Sequence, residues 1–251
     1  MCPFVYFGDY CVPTYTICSG IGIILSIFVA CILLSREAIL GDYIYLIILS
    51  LIGLAIGAKL FGVISLGITE YLNNGTISFE RIIKEAGSVY YGGLIGLLIS
   101  LLILCKVKNK QFRSVSSVMA VSIPLFHSIG RIGCYLGGCC YGKETNGFLG
   151  IEYRIYGTTK IVTRYPVQLY ESAFEFFLFI TLLILYNKFK KARGFLLQVY
   201  LISYSAFRFF IEFIRGDEVR GIWSLLSFSQ YISIGIIFIT ILLSLVRRKE
   251  V

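Results

Sequence analysis

The sequence predicts an all-α polytopic membrane protein with seven transmembrane helices, its N-terminus outside and its C-terminus cytoplasmic. A small external region including a β-hairpin completes the fold. Three observations carry this reading. Of the 251 residues, 57% are hydrophobic and 15% charged, with a mean hydropathy of +0.84, whereas a soluble domain carries about 25% charged residues. Seven apolar runs approach or exceed the roughly 20 residues that a bilayer-spanning helix needs. Lysine and arginine cluster in alternate connections, which fixes orientation by the positive-inside rule.

The first run is Thr14–Leu34, preceded by thirteen residues without lysine or arginine. With no basic segment before it and no small-residue cleavage site after it, it reads as a retained helix rather than a signal peptide. Arg36 lies in the short loop before the second run, Tyr43–Leu66. Thr69–Gly87 follows on the outer side, and its ISFERIIKEAG portion suits a short amphipathic surface helix. The third run, Ser88–Cys105, leads to Lys106, Lys108, Lys110 and Arg113 inside; the fourth, Val115–Leu136, returns outward. Between Lys143 and Tyr165, FLGIEYRIYGTTKIVTRYP alternates apolar and polar residues around Gly157-Thr158, as a two-stranded hairpin would. Such a hairpin suits a lid or partner contact and equally an inert connector. The fifth run, Leu169–Tyr186, reaches Lys188, Lys190, Lys191 and Arg193; the sixth is Phe195–Ile214. The seventh, Leu226–Val246, ends at Arg247, Arg248 and Lys249. The net charge of +9 is therefore concentrated in cytoplasmic topology signals, and no nucleic-acid partner is expected. Residues 1–251 read as one membrane-embedded domain with external segments at about 67–87 and 137–168.

Lys59, Arg208 and Glu212 stand out as ionisable residues inside the runs. A charge at bilayer depth is costly unless paired or lining a wet cavity. Arg208 and Glu212 are four apart on one helix face, with Tyr204 a turn earlier; a tolerated intrahelical ion pair would explain them too. The topology nevertheless brings other motifs to the same outer depth. Arg131 ends the fourth run, VYYGGLIG (Val89–Gly96) begins the third, and YPVQLYES (Tyr165–Ser172) begins the fifth, with Tyr15 at the start of the first. Two guanidinium groups facing tyrosines, Gln168 and Glu171 suit an anion with a planar array of oxygens. Gly92 and Gly93 permit close backbone approach. At this depth the available phosphate belongs to a lipid head group. The residues thus point to a phospholipid-handling site facing the outer leaflet.

Five stretches, in order, resemble motifs of the prolipoprotein diacylglyceryl transferase family. GAKLFG (Gly57–Gly62) is similar to G-A-R-L-x-Y, and YYGGLIG to H-G-G-L-x-G. GRIGCYLGGCCYG (Gly130–Gly142) is similar to GR-x-G-N-F-x-N-x-E-x-x-G, and YPVQLYES to H-P-x-Q-L-Y-E. YSAFRFFIEFIRGDE is similar to Y-x-x-F-R-x-x-x-E-F-x-R-x-P-D. The resemblance implies an enzyme that moves the diacylglyceryl group of phosphatidylglycerol onto the lipobox cysteine thiol of a preprolipoprotein. A thioether forms and glycerol phosphate is released, with no metal or organic cofactor. It implies a multi-pass protein of the bacterial cell membrane. Arg131 and Arg208 match the family's two essential arginines, Tyr15 and Tyr204 its functional tyrosines, and Gly142 the closing glycine of its signature. Tyr91 stands in the histidine's place and joins Arg131, Arg208 and Tyr204 as the expected catalytic set. Tyr15, Lys59, Gly92, Gly93, Cys134, Gly142, Gln168, Tyr170, Glu171 and Glu212 are the expected substrate-binding residues.

The departures are specific. Tyr91 and Tyr165 replace histidines, Cys134 and Gly137 asparagines, and Cys139 the glutamate. His127, the one histidine in the chain and one turn before Arg131, is a candidate substitute base; a hydrogen-bonded packing role competes with it. A family paralogue with another acceptor is a second reading. A thiol-redox or metal-binding membrane protein using Cys134, Cys139 and Cys140 is a third. Of the eight cysteines, most sit singly in or beside the runs, where cysteine behaves as a small hydrophobe. The Cys134–Cys139–Cys140 group lacks the C-x-x-C spacing of common zinc sites. Packing, disulfide or redox chemistry, and substrate contact remain open for it.

Overall fold

An apolar segment in lipid must satisfy its backbone polar groups internally, and a helix does so without help from neighbours. The computed structural model of the chain describes residues 2–154, 161–216, 222–223 and 225–248, and follows that rule. Its long helices are α1 (Thr14–Arg36), α2 (Leu40–Asn74), α4 (Tyr90–Val107), α5 (Phe112–Gly137), α6 (Val167–Lys188), α7 (Leu196–Ile211) and α8 (Phe228–Arg248). A short helix, α3 (Phe79–Glu85), fills the connection read as an amphipathic surface segment. Among the described residues, seven helical stretches are long and apolar enough to cross a membrane, as the hydropathy runs predict.

Helix ends follow local chemistry. The predicted second run stops at Leu66, yet α2 continues to Asn74, because no residue breaks it before Gly75. There the backbone turns left-handed (φ +68°) and the glycine N–H caps the Tyr71 carbonyl at 2.9 Å. The external segment expected from about residue 67 is thus partly helical. Helix α5 ends in a Schellman motif. Gly138 is left-handed (φ +72°), its N–H meets the Tyr135 carbonyl at 3.1 Å, and the Cys139 N–H meets the Cys134 carbonyl at 3.1 Å.

Among the described residues, three small antiparallel strand pairs decorate the bundle. The expected one pairs β3 (Ile151–Arg154) with β4 (Ile161–Arg164), Ile151 opposite Arg164; its expected turn at Gly157-Thr158 lies outside the described residues. Two others were not anticipated: β1 (Phe4–Phe7) with β2 (Tyr10–Pro13), turning at left-handed Gly8, and β5 (Ile222–Trp223) with β6 (Leu226–Ser227). The Gly142–Arg215 bridge and the Lys143 N–H on the Ile214 carbonyl (2.8 Å) tie the chain after α5 to the end of α7.

The main helix contacts are α2 with α4, α1 with α5, α5 with α6, and α7 with α8. Within the α5 span 78% of the apolar window is buried, against 17% for α8, so α5 is the axis of the bundle. Outward-facing Ile24, Phe28, Ile52, Ile56 and Phe238 are exposed, as lipid-contacting side chains would be. The α2–α4 seam is made of glycine: a Cβ on Gly92 would lie 2.3 Å from the Gly57 carbonyl, and one on Gly96 2.1 Å from the Gly53 carbonyl. Small residues let membrane helices approach to backbone contact.

Candidate active site

The charged residues that the apolar sequence cannot send to solvent meet where α5, α6 and α7 converge. Arg131 and His127 are one turn apart on α5, Glu171 and Glu175 one turn apart on α6, and Arg208 and Glu212 one turn apart at the end of α7. All six are buried. The Arg131 Nε lies against Glu171 Oε2 and donates to His127 Nε2 at 3.2 Å. The other Glu171 oxygen takes Arg208 Nη1 at 2.7 Å, and Arg208 Nη2 reaches Glu212 Oε2 at 2.7 Å. Arg215 Nε stands 4.0 Å from the same Glu212 oxygen, and His127 Nδ1 lies 3.1 Å from Glu175 Oε1.

The result is one buried chain in the order Glu175, His127, Arg131, Glu171, Arg208, Glu212, Arg215. Three guanidinium groups face three carboxylates, the arrangement that makes buried charge tolerable. It also fixes the imidazole tautomer. Arginine N–H groups only donate, so Nε2 must accept, and Nδ1 carries the proton and donates it to Glu175.

Several polar atoms in this chain have no protein partner. The hydrogen bond and ion pair of Arg131 both run through Nε, so Nη1 and Nη2 have none among the described residues. Glu175 Oε2 and the Tyr204 hydroxyl are buried with no hydrogen-bond partner among the described residues. Buried polar atoms rarely stay unsatisfied without a functional reason.

Aromatic rings enclose the imidazole. Tyr90 stacks on His127 with centroids 3.7 Å apart and planes 11° apart, and its hydroxyl shares a 2.6 Å hydrogen bond with Tyr200. Tyr204 stands edge-on to His127 at 5.2 Å and lies 5.3 Å from Tyr91. Position 91, where the resembled motif has histidine, and His127 are thus both neighbours of the Tyr204 ring. Tyr91 itself is buried and hydrogen-bonded to Ser233 Oγ at 2.6 Å, linking α4 to α8.

Other predicted site residues are placed elsewhere or do other work. Lys59 donates to the Ala86 carbonyl at 2.5 Å, away from the arginine chain. Gly92 serves helix contact with Gly57 and Phe61, while Gly93 has ordinary contacts to Ala58 and Leu54; the close approach expected of them is to α2. Gly142 is pressed on the Tyr165 backbone, where a Cβ would sit 2.5 Å from the carbonyl oxygen. Tyr170 donates to the Leu149 carbonyl at 2.8 Å, steadying the segment before β3. Gln168, fully buried, accepts from the Tyr153 hydroxyl at 2.9 Å and donates to the Cys139 carbonyl at 2.6 Å. Burial pushes the Tyr153 phenol above its ordinary value, which keeps it a donor in that relay. Tyr15 is half-exposed at the start of α1, within electrostatic reach of Arg131 and Cys134. Cys134 is buried, Cys139 exposed and Cys140 between, all three as free thiols.

Sequence reasoning missed Glu175, Arg215, Tyr90 and Tyr200. Glu175 had a readable signal: it is a carboxylate inside the fifth run, one turn beyond Glu171 and therefore on the same face.

The chain is similar to known proteins along most of its length. A family profile described as prolipoprotein diacylglyceryl transferase matches residues 4–246. A phosphatidylglycerol–prolipoprotein diacylglyceryl transferase from Clostridium tetani is 36% identical over 230 residues, covering 88% of this chain and 89% of the relative. Its namesake from Finegoldia magna is 32% identical over 238 residues, covering 94% of this chain and 92% of that one. A Clostridium perfringens protein, transferase 2 of the same name, is 42% identical over 159 residues, covering 62% and 61% of the two chains. Matched along almost its whole length by profile and relatives alike, this chain belongs to the prolipoprotein diacylglyceryl transferase family.

Proposed function

We propose that this multi-pass membrane protein is a transferase of lipoprotein biosynthesis that moves the diacylglyceryl group of phosphatidylglycerol to the cysteine thiol of a prolipoprotein. The acceptor sulfur attacks the glyceryl carbon that carries the phosphate oxygen. A C–S bond forms, the C–O bond breaks with its electron pair going to oxygen, and glycerol phosphate departs. The thiol proton passes to a base. The enzyme sits in the bacterial cell membrane with the Arg131 end of the bundle, the N-terminus and the β3–β4 hairpin outside. The alternating basic connections support that orientation.

The observation that carries the reading is a buried arginine, Arg131, whose Nη1 and Nη2 meet no acceptor among the described residues, while its Nε is held by Glu171 and His127. Two parallel N–H donors suit two oxygens of one phosphate, and they stabilise the charge that builds on the leaving glycerol phosphate. Arg208, spent on Glu171 and Glu212, holds Glu171 in position rather than gripping the lipid itself. The His127 Nε2 lone pair, which accepts from Arg131 Nε in the structure, takes the thiol proton when that 3.2 Å hydrogen bond is given up, with Glu175 behind the opposite N–H. Arg131 keeps its Nε contact with Glu171. Its shared contact with Tyr204 supports this as a replacement for the histidine missing at position 91.

The test is turnover by purified protein given labelled phosphatidylglycerol and a lipobox-containing peptide. The expected products are thioether-linked diacylglyceryl peptide and free glycerol phosphate in equal amounts. A folded protein that yields neither would overturn the proposal. Labelled lipid transferred only to other acceptors from a membrane extract would favour the paralogue reading.

A further inference from the structure

Beyond the arginine chain, the turn that ends α5 gathers three thiols. The Schellman motif at Gly138 folds Cys139 back over the last turn of the helix, and its N–H meets the Cys134 carbonyl at 3.1 Å. Cys140 is then held left-handed (φ +59°), a conformation that disfavours a residue with a Cβ. The Cys134, Cys139 and Cys140 sulfurs all lie within 4.8 Å of one another.

We propose that Cys134, Cys139 and Cys140 form a three-thiolate binding site for a thiophilic d10 cation such as Zn2+. The proposal is independent of the transfer reaction, since binding requires no turnover. Tetrahedral Zn2+ with sulfur at about 2.3 Å spaces its ligands by about 3.8 Å, so closing the cluster asks each sulfur to move by about an ångström at most. An all-sulfur ligand set selects soft or borderline ions over Mg2+ and Ca2+. The graded exposure of the three gives an entry path: Cys139 is at the surface, Cys140 partly covered and Cys134 buried. Three thiolates around a dication leave one net negative charge, and the positive charges of Arg215 and Arg131 both reach Cys140. The loop is braced from behind by Gln168, which donates to the Cys139 carbonyl at 2.6 Å and is itself fixed by Tyr153. Such outer contacts orient metal ligands. Three protein ligands leave a tetrahedral ion one position for an exchangeable fourth.

The full chain in detergent micelles, reduced and then freed of reductant, is loaded with Zn2+ and its metal content measured; Co2+ serves as a spectroscopic probe. The expected result is one ion per chain, thiolate-to-cobalt absorption in the near ultraviolet, and a higher melting temperature with Zn2+. Cys139→Ser, at the exposed position, should weaken binding at least tenfold. A variant with Cys2, Cys11, Cys18, Cys31 and Cys105 all changed to serine should retain it. Less than 0.2 ion per chain would overturn the proposal, as would unchanged binding by Cys139→Ser or loss of binding in a folded five-serine variant. A stable disulfide among the three, with two thiols lost and no metal bound, would overturn it too.

Discussion

Replacing Arg131 and Arg208 by glutamine should separate two roles that the sequence alone treats as one. In Arg208→Gln, Glu171 Oε1 and Glu212 Oε2 each lose a charged partner at 2.7 Å. Removing one member of a buried ion pair costs about 3–5 kcal/mol. For a chain of this size that corresponds to a melting-temperature loss on the order of 10 °C, and the shared loss at two carboxylates puts this variant at or beyond it. In Arg131→Gln, Glu171 keeps Arg208, so the loss should be about half as large. Turnover should nevertheless fall about 10²–10³-fold, the typical cost of one pre-set donor to a developing oxyanion. The measurements are thermal unfolding in detergent and labelled-lipid transfer on the fraction that remains folded. Equal melting shifts for the two variants would refute the asymmetry drawn from their contacts. Transfer by Arg131→Gln within threefold of wild type would refute its role at the phosphate.

Further outcomes follow from the imidazole and its cage. Glu175→Gln should lower kcat about 10²-fold with little change in KM, because it removes charge behind the base and leaves the lipid contacts intact. His127→Ala should lose at least as much, and adding Tyr91→His in that background should recover tenfold or more, since both positions border Tyr204; transfer kinetics decide both. Tyr204→Phe removes a buried hydroxyl without a hydrogen-bond partner among the described residues. Its melting temperature should be unchanged or slightly higher, while transfer drops tenfold or more. A lower melting temperature with full transfer would assign that hydroxyl a structural role.

The thiol cluster begins one turn beyond Arg131 on α5. Cys134 lies three residues beyond Arg131, and the Cys139 loop leans on Gln168, three residues before Glu171. An ion bound there would stiffen the turn that presents Arg131. Two of the residues that depart from the resembled signature, Cys134 and Cys139, belong to the thiol cluster.

Much of the fold was legible because its determinants are local. Burying a backbone in lipid forces helices wherever apolar runs are long enough, and Gly75 and Gly138 stop helices through their own left-handed geometry. Period-two alternation marked the β3–β4 hairpin. The β1–β2 strands escaped because FVYF and YCVP carry no charged residues alternating with apolar ones, as IEYR and IVTR do. In the site, the cost of intramembrane charge and the family motifs led to Arg131, Arg208, Glu171 and Glu212. Lys59, singled out by the same rule, reaches from the middle of α2 to the Ala86 carbonyl.

By itself, then, the sequence determined the seven spans, the basic clusters in alternate connections, the motifs of the family and the residues too charged to face lipid. Only the tertiary structure decided who pairs with whom. Partner choice depends on which faces of α5, α6 and α7 meet, and no local propensity encodes that. Through it, one carboxylate became shared between two arginines, and Glu175 was placed behind the imidazole. Gly92 was turned from ligand contact to helix packing, and three cysteines spread over seven positions closed into one cluster.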